Sequence, residues 1–293
     1  MKNYCLHPLL WIIVLLFVGV INAKAQNKTP ESLRSSGLAP VNGVNIYYEV
    51  HGDGDPIVLL HGSFMTINLN WAQLIPELSK KRKVIVLEFR GHGRSTDSKE
   101  PFSYKLLASD VAGVCKFLKI DSADVLGYSL GGTVAFQLAI QNPTLVKKLI
   151  IVSSVYKYEG WLPEMRSMLK TFKPDFLDNT PLYAEYKKVA PDSTRWHAFM
   201  EKMLVFENKP YDLGEANIKA IRSPVLLIMG DNDGVDLSHV TAMYRLLGGG
   251  VFGDIAGLPR SQLSIVQGNT HVSLMMDPSI VNSRVEAFLK PGK

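Results

Sequence analysis

Cysteine is nearly absent from this chain: 293 residues carry two, and one of them, Cys5, falls in an N-terminal segment that reads as a leader. The mature chain then holds a single thiol, Cys115, which excludes an intrachain disulfide. Val111, Val114 and Leu118 recur around it at helical spacing, so Cys115 reads as a packed core residue rather than a reactive one. Metal ligands are equally sparse. The seven histidines are not grouped at ligand spacing, and no metal centre or cofactor is expected. Charge of one sign is scarce too, since 32 basic residues face 27 acidic ones for a net charge of +5. The only basic run, Lys80-Lys81-Arg82-Lys83, falls between a predicted helix and a predicted strand and reads as a solvated loop, so nucleic acid is not an expected partner. Internal repeats and low-complexity segments are lacking. No apolar run reaches the roughly 20 residues that span a bilayer.

The longest apolar run is Leu9 to Ile21, 13 residues. Lys2 precedes it and Ala23-Lys24-Ala25 follows, giving the positive start, apolar core and small-residue cleavage site of a secretory leader. Residues 1–25 are therefore expected to be removed on export, to the periplasm or beyond, and the alternative, an uncleaved inner-membrane anchor, is disfavoured by length. Loss of Lys2 and Lys24 lowers the net charge to about +3. No membrane association is expected of the mature chain. Its length suits one large α/β domain with an insertion.

Along that chain, Val44 to Val50 alternates like a half-exposed antiparallel strand, and Asp53-Gly54-Asp55-Pro56 turns it, so a hairpin opens the sheet. Continuous apolar runs follow at Ile57–Leu60, Val84–Leu87, Val125–Leu126, Leu149–Val152, Val225–Met229 and Leu263–Val266, the signature of parallel strands buried on both faces. Helical periods lie between them, around Trp71 to Leu78, Ser103 to Leu118, Thr133 to Ile140, Ser238 to Leu247 and Ile280 to Leu289. Alternation of this kind predicts a mostly parallel, eight-stranded sheet covered by helices on both faces. One interval breaks it. From about Val155 to Arg222 amphipathic stretches recur without a strand and are interrupted by prolines, predicting a helical lid at 155–222 inserted into a core of 26–154 and 223–293. Its apolar residues either line a substrate pocket or bind the lid to the core. Trp161, Met165, Trp196 and Phe199 are the candidates for the pocket.

Gly127-Tyr128-Ser129-Leu130-Gly131-Gly132 carries the chemistry. It stands between the Ala123–Leu126 strand and the helix starting near Thr133, the setting of a nucleophile elbow, in which a sharp strand-to-helix turn exposes a serine beside backbone N–H donors. Such a serine needs a base. His271 follows the last strand and precedes the last helix, which puts it at the C-terminal edge of the sheet above Ser129. The acid is sought in Gly230-Asp231-Asn232-Asp233, where Asp233 is favoured because it emerges past the strand end. Asp231 is assigned to the turn backbone and Asp236 to a helix N-cap. The oxyanion hole is expected from the N–H of Leu130 and that of Ser63, with Phe64 as the alternative in the loop His61-Gly62-Ser63-Phe64.

These motifs, together with His61-Gly62, the Arg90-Gly91-His92-Gly93-Arg94-Ser95 turn and the late histidine, resemble the serine hydrolases of the α/β-hydrolase superfamily across nearly the whole mature chain. The resemblance implies the fold, a Ser129–His271–Asp233 triad and a supporting role for the Arg90–Ser95 turn; it leaves the substrate open, and a small-molecule ester-like one is expected. Serine at the elbow disfavours the branches that use an aspartate there, the haloalkane dehalogenases and epoxide hydrolases. A carboxylesterase working through an acyl-enzyme is expected. The alternatives are a C–C bond or lactone hydrolase, an aminopeptidase with Glu159, Glu164, Asp175, Asp178, Glu185 or Glu201 holding an ammonium, and a non-catalytic binder of the same fold. Relative to the family, the stretch from Asp233 to His271 is long. The excess, Gly248 to Pro259, is read as a surface loop near the site, either shaping access or passive.

Overall fold

Strict alternation inside the apolar runs decides the architecture. Of β3 (Asp55–Leu60), Val58 and Leu60 enter one core while Ile57 and Leu59 enter another, and β6 (Val146–Val152) divides in the same way, Leu149 and Ile151 against Ile150 and Val152. A strand whose successive side chains point to opposite faces must have both faces covered if all of them are apolar. The computed structural model describes residues 32–290, so the leader at 1–25 lies outside the described residues.

Eight strands form one sheet in the order β1-β2-β4-β3-β5-β6-β7-β8. The antiparallel pairs are β1 (Leu33–Val41) with β2 (Val44–His51) and β2 with β4 (Arg82–Leu87); β3, β5 (Ala123–Tyr128), β6, β7 (Val225–Asn232) and β8 (Gln262–Thr270) continue in parallel with β4. The opening hairpin is closed by Asn42-Gly43, both at positive φ, and its first strand is β1. Asp53–Pro56 instead leads from β2 to β3, which are not neighbours. The sequence pattern does not reveal β1, because Leu-Arg-Ser-Ser-Gly-Leu-Ala-Pro-Val is mostly exposed at the sheet edge and is held by backbone pairing.

On one face lie α1 (Ile67–Trp71), α2 (Ile75–Leu78) and α12 (Pro278–Leu289); on the other lie α3 (Tyr104–Phe117), α4 (Leu130–Gln141) and α9 (Leu237–Leu246). The single helix expected over Trp71–Leu78 is two, because Pro76 has no N–H to give and its ring would meet the carbonyl of Ala72. Caps set the other starts: the Ser103 side chain accepts from Leu106 N–H, and Asp236 accepts from Ser238 N–H at 2.7 Å, each contributing about 1 kcal/mol.

Between β6 and β7 the described chain adds no strand to the sheet. It forms α5 (Pro163–Thr171), α6 (Pro181–Val189), α7 (Trp196–Glu207) and α8 (Glu215–Lys219). α7 is the buried member, with Phe199, Met200, Met203 and Phe206 packed inward, while Lys202 ties it to the loop after β4 through Asp97 Oδ1 at 2.7 Å and the Ser98 carbonyl at 2.8 Å. The Gly248–Pro259 stretch, which carries α10 (Gly253–Ala256), leads into the N-terminal end of β8. In a parallel sheet that end is opposite to the one where β5, β7 and β8 finish, so this loop is remote from Ser129 and its expected place near the site is corrected.

Candidate active site

All the residues singled out for chemistry fall on loops at the C-terminal ends of β3, β5, β7 and β8, as expected for an open parallel sheet. Ser129 joins β5 to α4 at φ 53° and ψ −119°. A non-glycine residue held there costs about 1–3 kcal/mol and persists only where its surroundings fix it. They do. Ser129 N–H donates to Val152 O at 3.0 Å, and Ser129 O accepts from Gly132 N–H at 2.9 Å and from the Ser154 hydroxyl at 2.7 Å. The turn also requires missing Cβ atoms, since one on Gly127 would sit 2.1 Å from Gly131 O, and one on Gly131 would sit 2.0 Å from Leu60 O.

His271, just past β8, places Nε2 3.0 Å from Ser129 Oγ and Nδ1 2.8 Å from Asp233 Oδ1. Its backbone carbonyl accepts from the Tyr128 hydroxyl at 3.0 Å, and its ring lies between Tyr128 and Trp161, centroids 5.2 and 5.7 Å away. The Asp233 side chain is fully buried. Burial pushes its carboxyl up, but the charge and hydrogen bond of His271 pull harder, helped by the Ser153 hydroxyl and Gly234 N–H, and the net direction is below the ordinary carboxylate range. Asp233 Oδ2 and Ser153 Oγ make no direct hydrogen bond among the described residues. An ionised Asp233 accepts only, so Nδ1 of His271 carries the proton and Nε2 faces Ser129 as an acceptor. Asp231 bonds the turn, its Oδ1 accepting from Asn269 N–H at 3.1 Å.

Leu130 opens α4, so its N–H has no partner within the helix. The facing loop is clamped on both sides of Ser63 and Phe64: Gly62 N–H donates to Asn70 Oδ1 at 2.8 Å and Met65 N–H to Gly62 O at 3.3 Å. His61 locks it from beneath. Its Nε2 accepts from Phe89 N–H at 3.0 Å, so Nδ1 must be the protonated nitrogen that donates to Gly62 O at 2.8 Å. Burial and the neighbouring His92 keep the His61 pKa well below the ordinary histidine value, against the opposing pull of the Gly62 carbonyl. Phe64 stands at φ 61°, and a Cβ added to Gly62 would be 3.5 Å from Ser129 Cβ, so the loop runs directly beside the elbow. The Arg90–Ser95 turn supports this region from below: Arg90 is buried on Asp110 with contacts of 2.6 and 2.7 Å, and Arg94 N–H and guanidinium both meet Glu88.

Of the four pocket candidates, Trp161 and Phe199 reach the site region, Trp161 against His271 and Phe199 against Phe64 and His92. Met165 packs beside Gly234, next to Asp233. Trp196 does not reach it: its ring packs on Tyr183, Tyr186 and Phe199, and its indole N–H donates to Asp178 at 2.7 Å, which makes it the core of the insertion itself. Two residues at the site carry no sequence signal. Glu207, at the end of α7, accepts from the Ser63 hydroxyl through its carboxylate. Tyr211 meets the Trp161 indole N–H at 3.2 Å and Thr133 Oγ1 at 3.4 Å through its hydroxyl. No local pattern marks either of them.

Residues 55–214, more than half of the chain, match the family model for the alpha/beta hydrolase fold. The chain belongs to that family. It is 30% identical over 212 residues to the 2-hydroxymuconate semialdehyde hydrolase of Pseudomonas sp. strain CF600, a match covering 65% of this chain and 75% of that protein. Among solved structures it is similar to the meta-cleavage product hydrolase CumD of Pseudomonas fluorescens IP01, with TM-score 0.67, 22% identity and coverage of 88% of this chain and 97% of that one. It is also similar to the naproxen esterase of Bacillus subtilis, with TM-score 0.65, 18% identity and coverage of 88% and 92%. At such identities the two structures speak for the fold. This α/β hydrolase is a hydrolase of small molecules by family; its bond and substrate rest on the site.

Proposed function

We propose that this protein is an exported serine hydrolase that cleaves carboxylic esters through an acyl-enzyme. The observation that carries the reading is the continuous hydrogen-bonded line Ser129 Oγ, His271, Asp233, at 3.0 and 2.8 Å. Ser129 Oγ attacks the ester carbonyl and its proton passes to His271 Nε2. The imidazolium is stabilised by Asp233, and the oxyanion takes up the N–H groups of Leu130 and of Ser63 or Phe64. Collapse returns the proton from His271 to the leaving alcohol, and a water molecule repeats the sequence on the acyl-enzyme. Residues 155–222 serve as the lid, with Trp161, Phe199 and Met165 shaping the pocket. Export rests on the leader-like Leu9–Ile21 and Ala23-Lys24-Ala25, with cleavage after Ala25; among the described residues no helix is long and apolar enough to cross a membrane.

C–C bond cleavage by the same triad is the second reading, favoured by the similarity to a 2-hydroxymuconate semialdehyde hydrolase. Turnover of a p-nitrophenyl ester series from acetate to decanoate by the chain starting at Gln26, with EDTA present, tests the first. Ser129→Ala should lower kcat by about 10⁴ to 10⁶. Absence of turnover on every ester, with a ring-cleavage dienoate consumed instead, would replace the ester reading with the second one.

A further inference from the structure

Glu207 is a carboxylate that the proposed acyl transfer does not use, and it stands against the loop that borders the elbow. Its partner, the Ser63 hydroxyl, belongs to one of the two residues, Ser63 and Phe64, whose N–H groups are the candidates to complete the oxyanion hole. Its charge is felt at the Tyr104 and Tyr211 hydroxyls, whose pKa values it helps burial to raise, and that of His271 is felt at Glu207. Burial raises its pKa, while the Ser63 hydroxyl and the charge of His271 pull the other way and do not prevail; no lysine or arginine among the described residues takes part. Two other carboxylates of the insertion already have partners. Asp178 holds Trp196 and His197, and Glu185 accepts from Asn68 at 2.6 Å.

Glu207 is half-buried, and a carboxylate partly withdrawn from water with no lysine or arginine beside it is unfavourable, a cost that a cation brought by a ligand lowers. Substituents on the carbon next to a scissile carbonyl are those nearest the oxyanion loop, and Glu207 reaches that loop through one side chain. We propose that Glu207 is the anchor for a primary ammonium group borne on the carbon adjacent to the scissile carbonyl, which makes amino-acyl esters the preferred substrates. This deepens the ester-hydrolase reading and rests on it. Tyr104 and Tyr211, which feel the charge of Glu207, pack with ring centroids 4.4 Å apart, and the Tyr211 hydroxyl accepts from the Trp161 indole N–H at 3.2 Å; such ring faces favour an ammonium over an anion. An acyl group bearing a carboxylate on that carbon is disfavoured by like charge.

The test separates binding from turnover. Alanine ethyl ester and ethyl 2-methylpropanoate have the same shape, with a methyl group replacing the ammonium, and isothermal titration of each into Ser129→Ala protein reads affinity without hydrolysis. At pH 6 the ammonium ester should bind at least 10-fold tighter, and Ser129→Ala/Glu207→Gln should bring the two affinities to within about 2-fold, the loss of one charge-assisted contact. Glu207→Ala in the same background repeats the comparison should the glutamine variant not fold. Equal affinities in Ser129→Ala protein, or a preference that survives removal of Glu207, would overturn the proposal. Failure of the ester reading shows separately, as absence of turnover of both esters by the unmutated protein, and leaves the affinity ratio readable.

Discussion

Gly131→Ala is the sharpest perturbation of the elbow, because its consequence follows from backbone atoms that have no rotamer to change. The new Cβ would lie 2.0 Å from Leu60 O, 2.5 Å from Leu60 C and 2.7 Å from His61 O, where real Cβ contacts stay beyond 3.0 Å. One side must therefore retreat by about 1 Å. If α4 retreats, it carries the Leu130 N–H with it; if the end of β3 retreats, it carries Ser63 and Phe64. Either way the two halves of the oxyanion hole separate by that distance. Donors act at 2.7–3.1 Å from the oxyanion, and a misplacement of about 1 Å costs on the order of 10² in rate. The turnover number should therefore drop by a factor of about 10² or more, with little change in KM, since the ground-state ester does not depend on that hole. Overpacking adds about 1–3 kcal/mol of destabilisation, a drop in Tm of roughly 2–12 °C for a domain of this size. Steady-state kinetics on the best p-nitrophenyl ester, normalised by active-site titration and read beside the melting curve, measures both effects. A variant whose turnover stays within about 3-fold of the parent would refute the close approach of α4 to β3 as the device that sets the oxyanion hole, whatever its Tm.

Two further outcomes follow from the acids and bases. Asp233→Asn should lower kcat by about 10³ to 10⁴, because a neutral amide no longer fixes the Nδ1–H tautomer of His271, whereas Asp231→Asn, which keeps its acceptor for Asn269 N–H, should stay within about 3-fold; equal losses would refute the division of labour between them. Acid should destabilise the fold before any carboxylate of the triad is protonated: burial lowers His92 and His239 to about 4, so between their ordinary value and that one the unfolded chain binds protons that the folded chain refuses. Their contribution is complete above the unfolded value, is lost as pH falls toward 4, and at pH 5 amounts to a loss of about 2 kcal/mol for His92 alone. Glu88, raised to about 7 by burial against the opposing pull of Arg94, works in the opposite sense and at pH 5 cancels, by about 2 kcal/mol, the share of one of the two histidines, leaving that of the other. A urea midpoint at pH 5 equal to or above that at pH 7 would contradict this account.

How much of this is legible in the chain depends on what holds each element. β3, β4, β6 and β7 are buried on both faces, so their apolar runs can hardly be read otherwise, and the elbow sits where the run of β5 meets the glycines that α4 needs. The order of Ser129, Asp233 and His271 along the chain is enough to bring them together because each follows a parallel strand, and parallel strands deliver their loops to one edge. β1 is opaque for the opposite reason: an exposed edge strand leaves no period of burial to read. The length of the Gly248–Pro259 loop is visible in the sequence, but the end of the sheet on which it lies is not, which is why its expected place near the site does not hold.

Pocket residues obey no such rule. The insertion lies off the sheet, and which of its side chains face Ser129 depends on how α7 docks, through Lys202 on the loop after β4 and Phe199 on His92 and Phe64, contacts between residues far apart in sequence. Amphipathic spacing marks Trp196 and Phe199 equally, yet one is the core of the insertion and the other the contact with the sheet. Glu207 ends the same helix and reaches Ser63 across 144 positions. Within this fold the catalytic line is thus fixed by the periodicity of the sheet, which any sequence must display to bury its strands. In the proposed reading, the groups that distinguish one substrate from another are set by helix docking, which leaves almost no local trace. Substrate choice can therefore change through α7 and its neighbours while the elbow, the base and the acid stay where the strands deliver them.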